Sequence, residues 1–278
     1  MSVFSQIDYL VIGHISRDIV HGGYAPGGTA AYSALAAQAL GCRTAVITSV
    51  DETYDVEGFL PDVLVHCVPA EKSTVFKNII EGTTRKQTVY SVAETIRAED
   101  VPSEWRRAPL IHLGPIAAEI DPAVIRLFSN SIVGVTPQGW FRHWDDDGRV
   151  YSLEWPEAST VLSLASAVII SPEDLPYPEY LEKLRDICPI LVVTHGNRGC
   201  KVYFHDEERY FAAPKVSEVN STGAGDIFAT AFLVRLHQTN GNIWEAATFA
   251  NEVASRSVGE DGLGDKMNAI REYYRSQL

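Results

Sequence analysis

The residues best suited to chemistry are Asn220-Ser221-Thr222-Gly223-Ala224-Gly225-Asp226. Two glycines around an alanine let the backbone turn sharply and come close to a ligand. Phe228, Ala231, Phe232 and Arg235 follow at helical spacing, so a helix is expected to begin at the glycines. Its unpaired N–H groups and the positive end of its dipole favour an anion there. Asp226 falls in the first turn of that helix, where a carboxylate would repel an anion that was merely held. The pairing makes chemical sense if Asp226 takes a proton from a hydroxyl. The amides at the helix start would then stabilise charge on a transferring phosphoryl group. Taken alone, the heptapeptide is equally consistent with a capped helix after a Gly-rich turn.

The elements that would position these residues read as a layered α/β chain. With 278 residues, 46% of them hydrophobic, there is enough for a large α/β domain or two small ones. Apolar runs at 9–13, 44–50, 110–114, 132–136, 167–171 and 190–194 read as buried parallel strands. Between them the pattern predicts an alanine-rich helix over 30–40, stopped by Gly41, and a helix over about 123–129 that Pro122 begins. In open α/β sheets ligands gather at the carboxyl ends of strands. His14, Ser16 and Asp18 follow the first run, Gln138 and Arg142 the fourth, Glu173 and Asp174 the fifth, and His195 to Cys200 the sixth. Residues 73–96 alternate instead, as a hairpin with Asn78, Arg85 and Gln87 on a polar face that could cover a substrate. A second hairpin is expected over 201–211, a helix over 244–254, and a charged terminal helix after the 259–264 loop. Asp145-Asp146-Asp147-Gly148 reads as an exposed turn, since calcium loops need regularly spaced ligands and a closing Glu.

A formal charge of −13, from 23 basic and 36 acidic residues, argues against nucleic acid or an anionic membrane as the main partner. A phosphorylated ligand stays compatible, because local amides and a metal ion can hold one. Cys42, Cys67, Cys188 and Cys200 lie far apart without a C-x-x-C pair, as expected of reduced thiols. No apolar run reaches the ~18 residues of a membrane span, and no basic segment precedes Asp8. A cytoplasmic, unprocessed chain is the expectation.

In order, Asp18, the Gly27-Gly28 pair, Thr194-x-Gly196-x-x-Gly199 and Thr222-Gly223-Ala224-Gly225-Asp226 resemble the ribokinase (PfkB) carbohydrate kinase family over nearly the whole chain. The resemblance implies a single domain over 1–278 with a three-layer α/β/α fold, a mainly parallel central sheet and a small β lid near 15–26 and 73–96. It implies ATP-dependent phosphorylation of a hydroxyl on a sugar, polyol such as an inositol, or nucleoside. Asp226 would be the base, with the amides of Gly223, Ala224 and Gly225 as the anion hole. Thr194, Gly196, Gly199 and Asn251 would meet the nucleotide. Asp18, Gly27 and Gly28 match acceptor positions, which the polar residues Asn78, Gln138 and Arg142 would supplement. Magnesium is implied with ATP, and a monovalent cation is a further expectation of the family. Two departures stand out. Asn220 replaces the family's usual Asp, which helps with that cation, and the magnesium-organising N-x-x-E motif is not intact near Ser171 to Pro176, where Glu173 or Asp174 would substitute. A homodimer through the lid edge is a further expectation. The alternative reading is a catalytically weak nucleotide- or polyol-binding member of the same fold.

Overall fold

The apolar runs pair into one sheet because strands hydrophobic on both faces must be covered on both. The computed structural model describes residues 6–81 and 84–277, and the side chains of 80–85, including that of Arg85, lie outside the described residues. Among the described residues nine strands of this sheet stand in the order Glu207–Ala212, Gly199–Phe204, Ile190–Thr194, Ala167–Ile170, Ile132–Val135, Leu110–Leu113, Tyr9–Ile12, Thr44–Val50 and Leu64–Pro69. The seven strands from Ile190–Thr194 onward pair in parallel; the first two form an antiparallel hairpin at the edge.

Side-chain alternation divides the interior into two cores. Tyr9 and Val11 pack into the core shared with the helices Thr29–Ala39, Ala224–Gln238, Ile243–Val258 and Leu263–Arg275. Leu10 and Ile12 point the other way, toward the Pro122–Leu127 turn and the helices Ala158–Leu162 and Tyr180–Ile187. The result is the expected α/β/α sandwich. Close approach of Ala224–Gln238 to the sheet depends on Gly134, where a Cβ would lie 2.3 Å from Leu233 Cδ1.

A separate four-stranded sheet, in the order Gly23–Gly27, Ser16–Val20, Val75–Glu81 and Thr84–Ser91, forms the lid. In keeping with the expected lid near 15–26, Asp18 lies on a lid strand, Ser16–Val20, a few residues beyond the end of the first central strand Tyr9–Ile12. The expected 123–129 helix is a 3₁₀ segment, Pro122–Leu127, capped by the Asp121 carboxylate accepting from Ala123 N at 2.9 Å. Strand Leu64–Pro69 gave no clear apolar run because it is an edge strand, half-exposed along its length. The acidic stretch is a hairpin turn between Arg142–Trp144 and Val150–Ser152, in which Asp145 Oδ1 accepts from Asp147 N and Arg149 N. All four cysteines are free, and among the described residues no helix is long and apolar enough to cross a membrane.

Candidate active site

A cleft of about 840 Å³ opens between the lid and the carboxyl ends of the central strands. It brings together Asp18, Gly28, Asn78, Gln138, Arg142, Glu173, Asp174, Thr194, Gly223, Ala224, Gly225 and Asp226 from among the sequence-derived candidates. Residues as far apart in sequence as Asp18 and Asp226 thus line one cleft.

The Gly-rich stretch does begin a helix, Ala224–Gln238, with Gly223 as N-cap at φ 77°. Only glycine fits comfortably there, because the left-handed conformation disfavours a Cβ and a Cβ would lie 2.0 Å from Tyr32 Cδ1. Gly223 N and Gly225 N have no hydrogen-bond partner among the described residues, whereas Ala224 N donates to Ser221 O at 3.1 Å. Of the three amides expected at an anion hole, that of Ala224 is thus engaged in closing the turn, and those of Gly223 and Gly225 are engaged by no described residue. Asp226 stands half-buried in the first turn at the cleft wall. Tyr32 lies beneath this turn; burial, reinforced by the carboxylates of Asp226 and Asp18, pushes its hydroxyl up to about 12.

A buried polar chain anchors that helix start from below. Thr230 Oγ1 donates to Asp226 O at 2.9 Å and Tyr9 Oη donates to Thr230 Oγ1 at 3.2 Å. Each hydroxyl has one proton, so the 2.8 Å contact between His112 Nδ1 and Tyr9 Oη requires Nδ1–H as donor. His112 Nε2 then accepts from Thr136 Oγ1, 3.1 Å away on the cleft wall. Burial pushes the His112 imidazole down to about 3, so it stays neutral, as this tautomer requires. The sequence offered no signal for this chain, whose members sit within apolar runs.

On the lid side, Gln87 Nε2 donates to Asn78 Oδ1 at 2.9 Å and Asn78 Nδ2 to Asp18 Oδ2 at 3.2 Å, while Ser16 Oγ donates to Asp18 Oδ1 at 2.9 Å. Gly27 does not line the cleft; it leaves room for Asp18, whose carboxylate lies 2.7 Å from where a Cβ would be. Gly28, at φ 88°, caps the helix Thr29–Ala39, and its Cβ would meet His14 O at 2.4 Å. Opposite the lid, Gln138 Nε2 donates to Thr29 Oγ1 at 3.2 Å, Arg142 Nη2 donates to Gln138 Oε1 at 2.5 Å, and Arg142 lies 3.9 Å from Asp174. Arg142 is the cationic side chain among the described cleft residues, facing Asp18, Glu173, Asp174, Asp226 and Asp261.

Glu173 and Asp174 share the Pro172–Asp174 turn, which Ser171 Oγ caps, and both line the cleft. No cluster of three or more potential ligands occurs among the described residues. That donor set suits magnesium, which takes one or two carboxylates and otherwise keeps phosphate oxygens and water.

The nucleotide candidates divide. Thr194 lines the cleft; Gly196, Gly199 and Asn251 do not. Asn251 is 5% exposed, and its Nδ2 donates to Phe211 O at 3.1 Å, tying its helix to the edge hairpin. Gly199 is required by that hairpin, since a Cβ there would fall 2.0 Å from Phe211 O. Asp261 and Leu263, which carried no sequence signal, join the wall beside Asn220.

Comparison with known proteins agrees with this architecture. The model of the pfkB family carbohydrate kinases matches residues 177–270, the part that contains Thr222 to Asp226. A pyrophosphate-dependent kinase in the ribokinase family, solved with a pyrophosphate analog and myo-inositol, superposes with a TM-score of 0.78 at 23% identity, over 94% of this chain and 99% of the other. Ribokinase from Giardia lamblia gives 0.75 at 16% identity, over 99% of this chain and all of its own. The chain has the ribokinase fold. Its PfkB resemblance is borne out by curated relatives as well. Inositol 3-kinase of Zea mays is 27% identical over 157 residues, 54% of this chain and 39% of the maize protein. A fructokinase of Escherichia coli is 28% identical over 160 residues, 52% of this chain and 51% of that enzyme. The chain thus matches about half or less of these relatives' own length.

Proposed function

We propose that the protein is a small-molecule kinase that transfers a terminal phosphoryl group to a hydroxyl of a neutral sugar or polyol. The observation that carries this reading is the juxtaposition, in one cleft, of Asp226 with Gly223 and Gly225, whose N–H groups make no hydrogen bond among the described residues. A carboxylate beside an anion site is useful where a hydroxyl must lose a proton as it attacks phosphorus. Asp226 acts as that base, and the two amides meet charge on the transferring group. Asp18, held by Ser16 and Asn78, accepts a hydrogen bond from an acceptor hydroxyl, with Gln138 and Arg142 on the opposite side. Among the described cleft residues one guanidinium stands among five carboxylates, a balance that favours a neutral acceptor over a sugar phosphate. Lid closure over the acceptor would exclude water, whose attack on the donor is the competing reaction.

Magnesium neutralises phosphate charge when bound, and Glu173 and Asp174 are the residues that would hold it. ATP is the donor that the kinase relatives suggest. Pyrophosphate is a second reading, favoured because Asn251 is committed beneath the edge hairpin and because pyrophosphate serves the fold relative described above. The experiment is a screen of magnesium-dependent transfer from ATP and from pyrophosphate to myo-inositol, free hexoses, ribose and nucleosides. Turnover of a neutral acceptor with either donor is expected, and the donor that works separates the two readings. Tight donor or polyol binding with no turnover of any acceptor would instead mark a binding protein of the same fold.

A further inference from the structure

Lys266 is 1% exposed, yet among the described residues no carboxylate pairs with it. Its Nζ donates to two main-chain carbonyls, those of Asn220 and of Ser257, the latter at 2.9 Å. A lysine near a helix C-terminus is ordinary, and Ser257 belongs to the last turn of Ile243–Val258. The bond to Asn220 is not, because Asn220 opens the turn that ends in the anion hole. The same helix end also holds that turn through Val258 O, which accepts from Val219 N at 2.8 Å and Asn220 N at 3.1 Å. Asn220 Oδ1 in turn accepts from Thr222 N at 2.9 Å. One cation thus joins two backbone segments whose carbonyls converge.

The residue types around it agree. A monovalent cation is bound by converging oxygens, and here an ammonium sits among them. Asn220 Nδ2 donates to Asp261 Oδ1 at 3.1 Å, a bond that the family's usual aspartate could not make and in whose place it would set two carboxylates against each other. The ammonium takes up the carbonyl oxygens of Asn220 and Ser257 that a bound alkali ion beside Asn220 would need, so with Lys266 present the place does not fit one. We propose that the Lys266 ammonium is a built-in cation that positions the 220–225 turn, in place of the monovalent cation implied by the family resemblance. Lys266 does not itself line the cleft and acts through the turn, so it is a positioning residue. Burial lowers its proton affinity, and the carboxylates of Asp261, Glu218 and Glu260 oppose that by favouring the charged form.

The test compares wild type with Lys266→Ala in potassium, ammonium and choline chloride at matched ionic strength. Thermal midpoints come first, because they do not depend on the kinase reading. Wild type is expected to melt at one temperature in all three salts. Lys266→Ala is expected to melt lower in choline and to regain about 2–4 °C in potassium or ammonium, as an ion enters the vacated place. The kinetic arm rests on the kinase reading. In choline, kcat of the variant should fall about tenfold to hundredfold, with acceptor KM little changed and with recovery by potassium or ammonium that wild type does not show. Potassium activation or stabilisation of wild type would overturn the proposal. So would a variant indifferent to the choice of salt, or one that folds in none of them. Failure to find any acceptor would count against the kinase reading alone, since the melting comparison would still decide the role of Lys266.

Discussion

Replacing Gly223 with Ala should separate catalysis from folding. The added Cβ would lie 2.0 Å from Tyr32 Cδ1 and 2.4 Å from Cε1, against an ordinary carbon–carbon contact of about 3.5 Å. Either the ring or the turn must therefore move by about 1.5 Å. Tyr32 is buried and packed in the core beneath the helix, so the turn is expected to give way. A misplacement of about 1 Å at reacting groups can lower a rate about a hundredfold, so kcat should fall by at least about that factor. Holding φ near 77° with a side chain adds about 1–2 kcal/mol of strain, and the crowding adds a similar amount, so unfolding free energy should drop by only about 2–4 kcal/mol. Initial rates with saturating donor and acceptor, alongside urea denaturation, read the two effects separately. Adding Tyr32→Ala should restore part of the rate by removing the clash while leaving the dihedral strain. An alanine variant with wild-type kcat, or a double variant no faster than the single one, would refute the assignment of Gly223 to the anion hole.

Three further outcomes are expected. Asp18→Asn should raise acceptor KM about tenfold or more while changing donor KM little, as steady-state kinetics would show; equal effects on both would argue against an acceptor contact. In His112 the folded value of about 3 lies below the ordinary 6.5, so its contribution to stability is fully present above pH 6.5 and is lost as pH falls toward 3. Urea unfolding across that window should show a loss of about 1.4 kcal/mol per pH unit from this group, which His112→Gln removes; identical slopes would contradict the neutral assignment. Glu173→Gln combined with Asp174→Asn should raise the magnesium concentration needed for half-maximal turnover at least about tenfold, and an unchanged requirement would place the ion elsewhere.

The sandwich was legible in the sequence because its strands are uninterrupted apolar runs and its helix start carries Thr222 to Asp226, a local signal. Elements whose identity depends on partners were harder to read. Leu64–Pro69 is a strand only because Thr44–Val50 offers it an edge. Likewise the Tyr9, His112, Thr136 and Thr230 chain joins four distant segments through single hydrogen bonds. Asn220 appeared as a lost charge, and the charge that answers it stands 46 residues later at Lys266. No local pattern marks a lysine whose partners are main-chain carbonyls.

Asp226→Asn tests the central assignment most directly, since the amide keeps the shape of the side chain and removes the base. With a donor and acceptor that wild type turns over, kcat should fall about 10²–10⁴-fold, while donor affinity measured by calorimetry stays within a few-fold of wild type. Turnover near the wild-type rate would contradict proton abstraction by Asp226.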